Sequence, residues 1–132
     1  MDSADTDAIV GPIRAYFSAL NAGDLEALLA LFTEMAAVVP NEAEAAVGIE
    51  AVRALYEHRF GLIEYQRELQ LDEVFSDGDV AVVRCHTTGS FTSKIDGERT
   101  VSISRELFAL ERIDGQWKIR SYLFNRTTAA AS

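Results

Sequence analysis

Residues 16–32 read Y-F-S-A-L-N-A-G-D-L-E-A-L-L-A-L-F, and the fold follows from how this stretch turns a corner. Asn21, Ala22 and Gly23 end one helix, with glycine supplying the backbone freedom a helix end needs. Asp24 stands where an N-cap carboxylate accepts backbone N–H bonds at the positive end of the next helix. Leu25, Leu28, Leu29 and Phe32 then follow at the spacing of one apolar helical face, which predicts a second helix over about 24–33.

Upstream, Ile9, Ile13, Phe17 and Leu20 recur at helical spacing, with Tyr16 on the same broad face. They predict a first helix over about 6–21, irregular early because of Pro12, with residues 1–5 frayed. Downstream, M-A-A-V-V-P-N is a short apolar strand ended by Pro40, and A-E-A-A-V-G a short partner strand. Gly48 opens a third helix whose apolar face is Ile49, Val52, Leu55, Tyr56 and Phe60. From Tyr65 the pattern changes to alternation, with Tyr65, Leu69 and Leu71 between polar neighbours. Asp77-Gly78, Asp96-Gly97 and Asp114-Gly115 each separate runs rich in β-branched or aromatic residues, a strong hairpin signal. They predict long strands over about 64–76, 79–93, 98–112 and 115–127, joined as an antiparallel meander, with an unstructured tail after them.

Helices first and a long antiparallel sheet after is the α+β pattern. At 132 residues, with 48% hydrophobic and 25% charged, the chain is expected to be one domain over 1–132, ordered over about 6–127. A net charge of −9 gives no basic patch for nucleic acid or an anionic membrane surface. The acidic start M-D-S-A-D-T-D is unlike a signal peptide, and no apolar run nears the roughly 20 residues that span a bilayer, so the expected setting is the cytoplasm. The lone Cys85 reads as a small buried hydrophobe in a strand, with His86 beside it pointing to the opposite face.

A curved sheet wrapped on helices leaves a concave space for a small apolar ligand. On the last strand, period two puts Trp117, Ile119, Ser121, Leu123 and Asn125 on one face, taken as inner. Lys118, Arg120, Tyr122, Phe124 and Arg126 fall on the other, where Arg120, Tyr122 and Phe124 suit a subunit contact as well as a solvated face. The expected pocket lining is Phe17, Phe32, Tyr56, Phe60, Phe108, Ile119, Ser121 and Leu123. Glu106 is a carboxylate in line with apolar Phe108 and Leu110; burial would raise its pKa, and pairing with Arg84, Arg105 or Arg120 would hold it ionised. His86 reads either as an acid–base group or as a hydrogen-bonded wall residue. Tyr16 and Tyr56 are core tyrosines or a pair of phenols aimed at one cavity. His58 and His86 are the only histidines and lack metal-ligand spacing, and no phosphate- or dinucleotide-binding motif occurs, so neither metal nor cofactor is expected.

The opening stretch, together with G-I-E-A-V-R-A-L-Y, R-E-L-F-A-L and D-G-Q-W-K-I-R-S-Y-L-F, resembles the nuclear transport factor 2-like superfamily in its SnoaL-like and ketosteroid isomerase-like branch. The resemblance covers nearly the whole chain. It implies a cone-shaped α+β barrel: three N-terminal helices packed on a strongly curved, mostly antiparallel sheet, in a bacterial protein that pairs as a homodimer through its outer sheet face. In ketosteroid isomerase a tyrosine and a protonated carboxylic acid stabilise a dienolate. Tyr16 matches the tyrosine, Tyr56 the tyrosine supporting it, and Glu106 the acid, one methylene longer than the family's aspartate. The family's aspartate base precedes a proline; here Val38 and Val39 precede Pro40, Asn41 follows, and the nearest carboxylates are Glu42 and Glu44. The resemblance therefore implies an isomerase or cyclase-type site with Tyr16 and Glu106 as donors and His86 as the recruited base. The alternative is a non-catalytic ligand-binding or dimerisation module.

Overall fold

The computed structural model describes residues 3–128. Helices α1 (Ser3–Ala22) and α2 (Leu25–Leu29) lead into β1 (Phe32–Val39), β2 (Ala46–Val47) and α3 (Ile49–Leu62). Four long strands follow: β3 (Ile63–Asp77), β4 (Val80–Ser93), β5 (Arg99–Ile113) and β6 (Gln116–Thr128). They form one open six-stranded sheet in the order β2-β1-β6-β5-β4-β3, antiparallel except where β1 runs parallel to β6. The helices cover its inner face, α1 against β3 and β6 and α3 against β1 and β3.

The corner forms as the sequence suggests. Gly23 takes φ 67°, and the Asp24 N–H donates to the Ala19 carbonyl at 2.9 Å. The Asp24 carboxylate accepts from the Ala27 N–H at 3.1 Å. The helix it caps is shorter than periodicity predicts. Ile119 N–H donates to the Leu31 carbonyl at 2.9 Å, and Phe32 pairs with Ile119, so β6 takes over the backbone that would have continued α2. Leu28 and Leu29 are buried from the helix and Phe32 from the strand, so one apolar pattern serves two elements. At its other end α1 starts earlier than expected: Ser3–Asp5 are helical, and only residues 1–2 of the frayed start lie outside the described residues. Pro12 sits inside this helix and brings no N–H to it. Of the expected unstructured tail, Thr127 and Thr128 continue β6, and residues 129–132 lie outside the described residues.

Ile9 and Ile13 from α1, Leu28 from α2, Val52 from α3, and Val83, Phe108, Leu110 and Ile119 from the sheet form the core. Each such side chain contributes about 1.5–3 kcal/mol relative to exposure.

Besides the register shift on β1 between Phe32 and Ala37, two bulges shape the described sheet. One lies between Leu71 and Glu73 of β3; the other lies on β6, where Leu110 faces Ile119 but Ala109 faces Ser121, leaving Arg120 as the extra residue. A bulge bends its strand and resets which side chains point inward. Gly89 on β4 allows a further close approach: it has φ 133°, and a Cβ there would stand 2.1 Å from the Gln66 carbonyl oxygen of β3.

Candidate functional site

A cavity of about 510 Å³ opens between α1, α3 and the concave sheet, within the range that takes a small organic ligand. Helix α1 contributes Tyr16, Phe17 and Leu20, and α3 contributes Leu55, Tyr56, Arg59 and Leu62, each set following helical spacing. The strands contribute Tyr65 and Arg67, Thr87 and Phe91, Ser104 and Glu106, then Tyr122, Phe124 and Arg126.

At its inner end lies a chain of hydroxyls ending in a carboxyl. The Tyr16 and Tyr56 hydroxyls are 2.5 Å apart, and the Tyr16 ring is only 1% exposed. Tyr122 packs edge-on to Tyr16 with ring centroids 5.0 Å apart and stacks on Phe108 at 4.1 Å. Its hydroxyl donates to Glu106 Oε1. Thr87 Oγ1 donates to Glu106 Oε2 at 2.5 Å and accepts from Arg67 Nε at 3.3 Å. The Arg67 guanidinium is itself buried. It is held by the Thr87 and Ser102 carbonyls at 3.0 and 3.1 Å and by the Ser102 hydroxyl at 3.2 Å. Asn21, from the α1 corner, brackets the Arg67 backbone: Oδ1 accepts from its N–H at 2.8 Å and Nδ2 donates to its carbonyl at 2.9 Å.

Burial dominates the electrostatics. It raises the pKa of Glu106, against the hydrogen bonds from Thr87 and Tyr122 and the nearby charge of Arg67, which pull it down. Burial likewise raises the phenols of Tyr16, Tyr56 and Tyr122, the neighbouring Glu106 charge adding to the effect. It also raises the Cys85 thiol, so the buried cysteine paired with Glu106 across the sheet stays a neutral core side chain. Arg67 is lowered by burial, with Glu106 opposing.

The cavity gathers Tyr16, Tyr56, Phe17 and Glu106, but not His86. His86 pairs with Arg105, one step out of phase with the Cys85–Glu106 pair, so it lies on the opposite sheet face. There its Nδ1 bonds Asp72 Oδ2 at 2.8 Å, and the side chain is 37% exposed. Phe32, Phe108 and Ile119 are buried in the core beneath the cavity, and Phe60 packs on Tyr56 and Tyr65. The face assignment on β6 holds through Ile119 and inverts after it. The bulge at Arg120 turns Tyr122 and Phe124 inward, and Ser121 and Leu123 away from the cavity, with Leu123 43% exposed. Of the three residues assigned to an outer contact, only Arg120 stays exposed; it donates to the Met35 carbonyl at 2.5 Å. After Pro40, Asn41 and Ala43 line the cavity, and Asn41 Oδ1 accepts from the Arg126 N–H at 3.1 Å, while neither Val38 nor Val39 before the proline lines it.

Arg67, Thr87 and Tyr122 were not picked out as site residues from the sequence. Arg67 carried a signal: it falls between Tyr65 and Leu69 in the period-two set, a cation on an apolar face. Among the described residues, no three His, Cys, Asp or Glu side chains come together as a metal site, and no helix is long and apolar enough to cross a membrane.

The SnoaL-like domain family matches residues 13–119. A ketosteroid isomerase-like protein from Erwinia carotovora atroseptica superposes with a TM-score of 0.91 at 26% identity, over 96% of this chain and 99% of that one. A candidate scytalone dehydratase from Novosphingobium aromaticivorans gives 0.80 at 20% identity, over 95% and 85% of the two chains. A candidate dehydratase of the NTF2-like family from Streptomyces avermitilis gives 0.79 at 19% identity, over 97% and 100%. The last two likenesses are of fold alone. Comparison with curated proteins finds no match.

Proposed function

The chain belongs to the SnoaL-like domain family, and on that premise we propose that its cavity binds a small, largely apolar, carbonyl-bearing molecule and moves a proton on it. Glu106 holds the proton, and the Tyr16–Tyr56 hydroxyl pair holds the carbonyl oxygen. The observation that carries this reading is the buried Glu106 carboxyl, raised in pKa by its apolar surroundings and joined through Tyr122 to the phenols. A carboxyl poised in this way exchanges a proton with carbon more readily near neutral pH than an ordinary surface carboxylate does.

This role differs from the donor role that the resemblance implies. Both Glu106 oxygens accept hydrogen bonds, from Tyr122 and from Thr87, and Thr87 is itself supplied by Arg67. That arrangement suits a carboxylate, and each oxygen keeps a lone pair for an incoming proton. In the step proposed, the proton next to the carbonyl passes to Glu106. The C–H electron pair becomes the new carbon–carbon π bond, and the carbonyl π pair moves to oxygen, where the phenol N-terminal to the corner donates a hydrogen bond. Return of the proton to another carbon completes an isomerisation in which nothing is oxidised or reduced.

The second reading, binding without turnover, is favoured by the region around Pro40, where Val38 and Val39 precede the proline and the residue that reaches the cavity is the uncharged Asn41. Solvent exchange separates the two. With 2-tetralone in D₂O, proton NMR is expected to show exchange beside the carbonyl above the buffer rate. Glu106→Gln is expected to lose about a hundredfold or more of it, and Tyr16→Phe to slow it. Binding with exchange only at the buffer rate would leave the second reading.

A homodimer through the outer sheet face belongs to the same proposal, with the face redrawn by the bulge. Val101, Ile103 and Leu123 are among the exposed apolar residues of β5 and β6, and a second copy would cover them. Sedimentation of Ile103→Arg is expected to give a monomer, and an unchanged dimer would exclude this face.

A further inference from the structure

Cationic side chains outnumber carboxyls in the cavity of an otherwise acidic chain. The net charge is −9, yet the lining holds Arg59, Arg67 and Arg126 with His58, against Glu106 as its one carboxyl. Arg67 is the inner cation, fully engaged by oxygens of β4 and β5. Arg59 and Arg126 sit further out, against aromatic rings: the Arg59 guanidinium carbon is 6.0 Å from the Phe124 centroid, and that of Arg126 is 4.8 Å from the Phe91 centroid. Elsewhere arginines pair with carboxylates, Arg53 with Glu26 at 2.6 Å and Arg112 with Asp79 at 2.9 Å. Among the described residues, neither Arg59 nor Arg126 has such a partner. Two guanidiniums left unpaired beside an apolar cavity, in a chain with a surplus of carboxylates, are held ready for an anion from outside.

We propose that the cavity's ligand is an aromatic or polycyclic carboxylic acid, its carboxylate held by Arg59 and Arg126 and its ring system against Phe91 and Phe124. The far end of such a ligand reaches towards Tyr16 and Glu106. A monoanion suits the site better than a dianion, because the chain as a whole repels negative charge and the Glu106 carboxyl shares the cavity. The proposal rests on the cavity being the ligand site, as read above, but not on turnover there.

Binding of three matched probes to the full chain tests it: 2-naphthoate, 2-naphthamide and 2-naphthyl phosphate, by calorimetry at low and high salt. The naphthoate is expected to bind about tenfold tighter than the amide, the size of one charge-assisted hydrogen bond, and the preference should shrink as salt rises. Arg59→Gln and Arg126→Gln should each weaken the acid several-fold and the amide clearly less, so that the preference for the acid shrinks. Arg53→Gln, outside the cavity, should change neither. The proposal is overturned if the acid does not bind, if the amide binds as tightly, or if the two arginine variants weaken acid and amide alike. A phosphate that binds tighter than the carboxylate overturns the choice of a monoanion. Because the readout is binding, loss of proton exchange on 2-tetralone would remove the catalytic reading and leave this one standing.

Discussion

Replacing Tyr122 by Phe removes one oxygen atom and should make stability depend on pH in a way that isolates Glu106. The ring keeps its stack on Phe108 at 4.1 Å, so packing is preserved; the donor to Glu106 Oε1 is lost, and with it the hydroxyl's contact to Tyr16, which does not titrate in the range tested. A hydrogen bond to an ionised group contributes about 1.5–3 kcal/mol net, and one between neutral groups about 0.5–1.5 kcal/mol. The substitution therefore costs roughly 1 kcal/mol where Glu106 is protonated and roughly 2 kcal/mol where it is ionised. The difference of about 1 kcal/mol raises the folded-state pKa of Glu106 by a little under one unit. The sign follows from linkage. Burial already holds the folded pKa of Glu106 above its unfolded value. The associated stability is complete below the unfolded pKa and is lost as pH rises through the folded one. Tyr122→Phe moves that upper edge higher, so the gap between variant and wild type widens as pH rises. Urea denaturation of both proteins from about pH 4 to about pH 8 reads the gap directly, with the same pair in a Glu106→Gln background as reference, where the widening should vanish. A gap that stays constant with pH, or that widens equally in the Gln background, would refute the assignment of Tyr122 as donor to a titrating Glu106.

Gly89→Ala places a Cβ 2.1 Å from the Gln66 carbonyl oxygen at a φ that L residues avoid, and should cost about 2 kcal/mol or more in urea denaturation. Asp24→Ala removes the cap on Ala27 N–H and should cost about 1 kcal/mol by the same assay, with the cavity's ligand affinity unchanged. Cys85 is buried, and burial raises its thiol. It should react with a disulfide reagent only as fast as the chain unfolds, so rapid labelling of the native protein would contradict its placement.

How much of this was legible depends on whether the deciding interaction was local. The three Asp-Gly pairs sit at or beside the hairpin turns, and the boundaries of the long strands follow from them to within a residue or two. Tyr16 and Tyr56 share a cavity because helical spacing already put each on its helix's apolar side. The face that His86 occupies was legible too. Glu106 pairs with Cys85 across the Asp96-Gly97 hairpin, so its neighbour His86 must face the other way. The length of α2 was not legible, since the residues that end it are claimed by β6, far along the chain. Nor was the bulge at Arg120: R-S-Y-L carries no glycine or proline to mark it, and pairing with β5 reveals it.

That bulge gives the chain an unusual sensitivity to the reading frame of a single strand. Beyond Arg120, what a ligand meets and what a neighbouring molecule meets are interleaved along one segment and separated only by parity. Paired in regular register from Ile119, with Arg120 taken into the ladder, the same segment would turn Ser121, Leu123 and Asn125 inward and put the phenol, the ring and the cation outside. Deleting Arg120 removes only the extra residue: Ser121 then follows Ile119 directly, and Tyr122, Phe124 and Arg126 keep the inner face. The orientation of the wall therefore rests on one residue being left out of the pairing, and a slip that absorbed it would change both the ligand chemistry and the docking surface with every side chain still present.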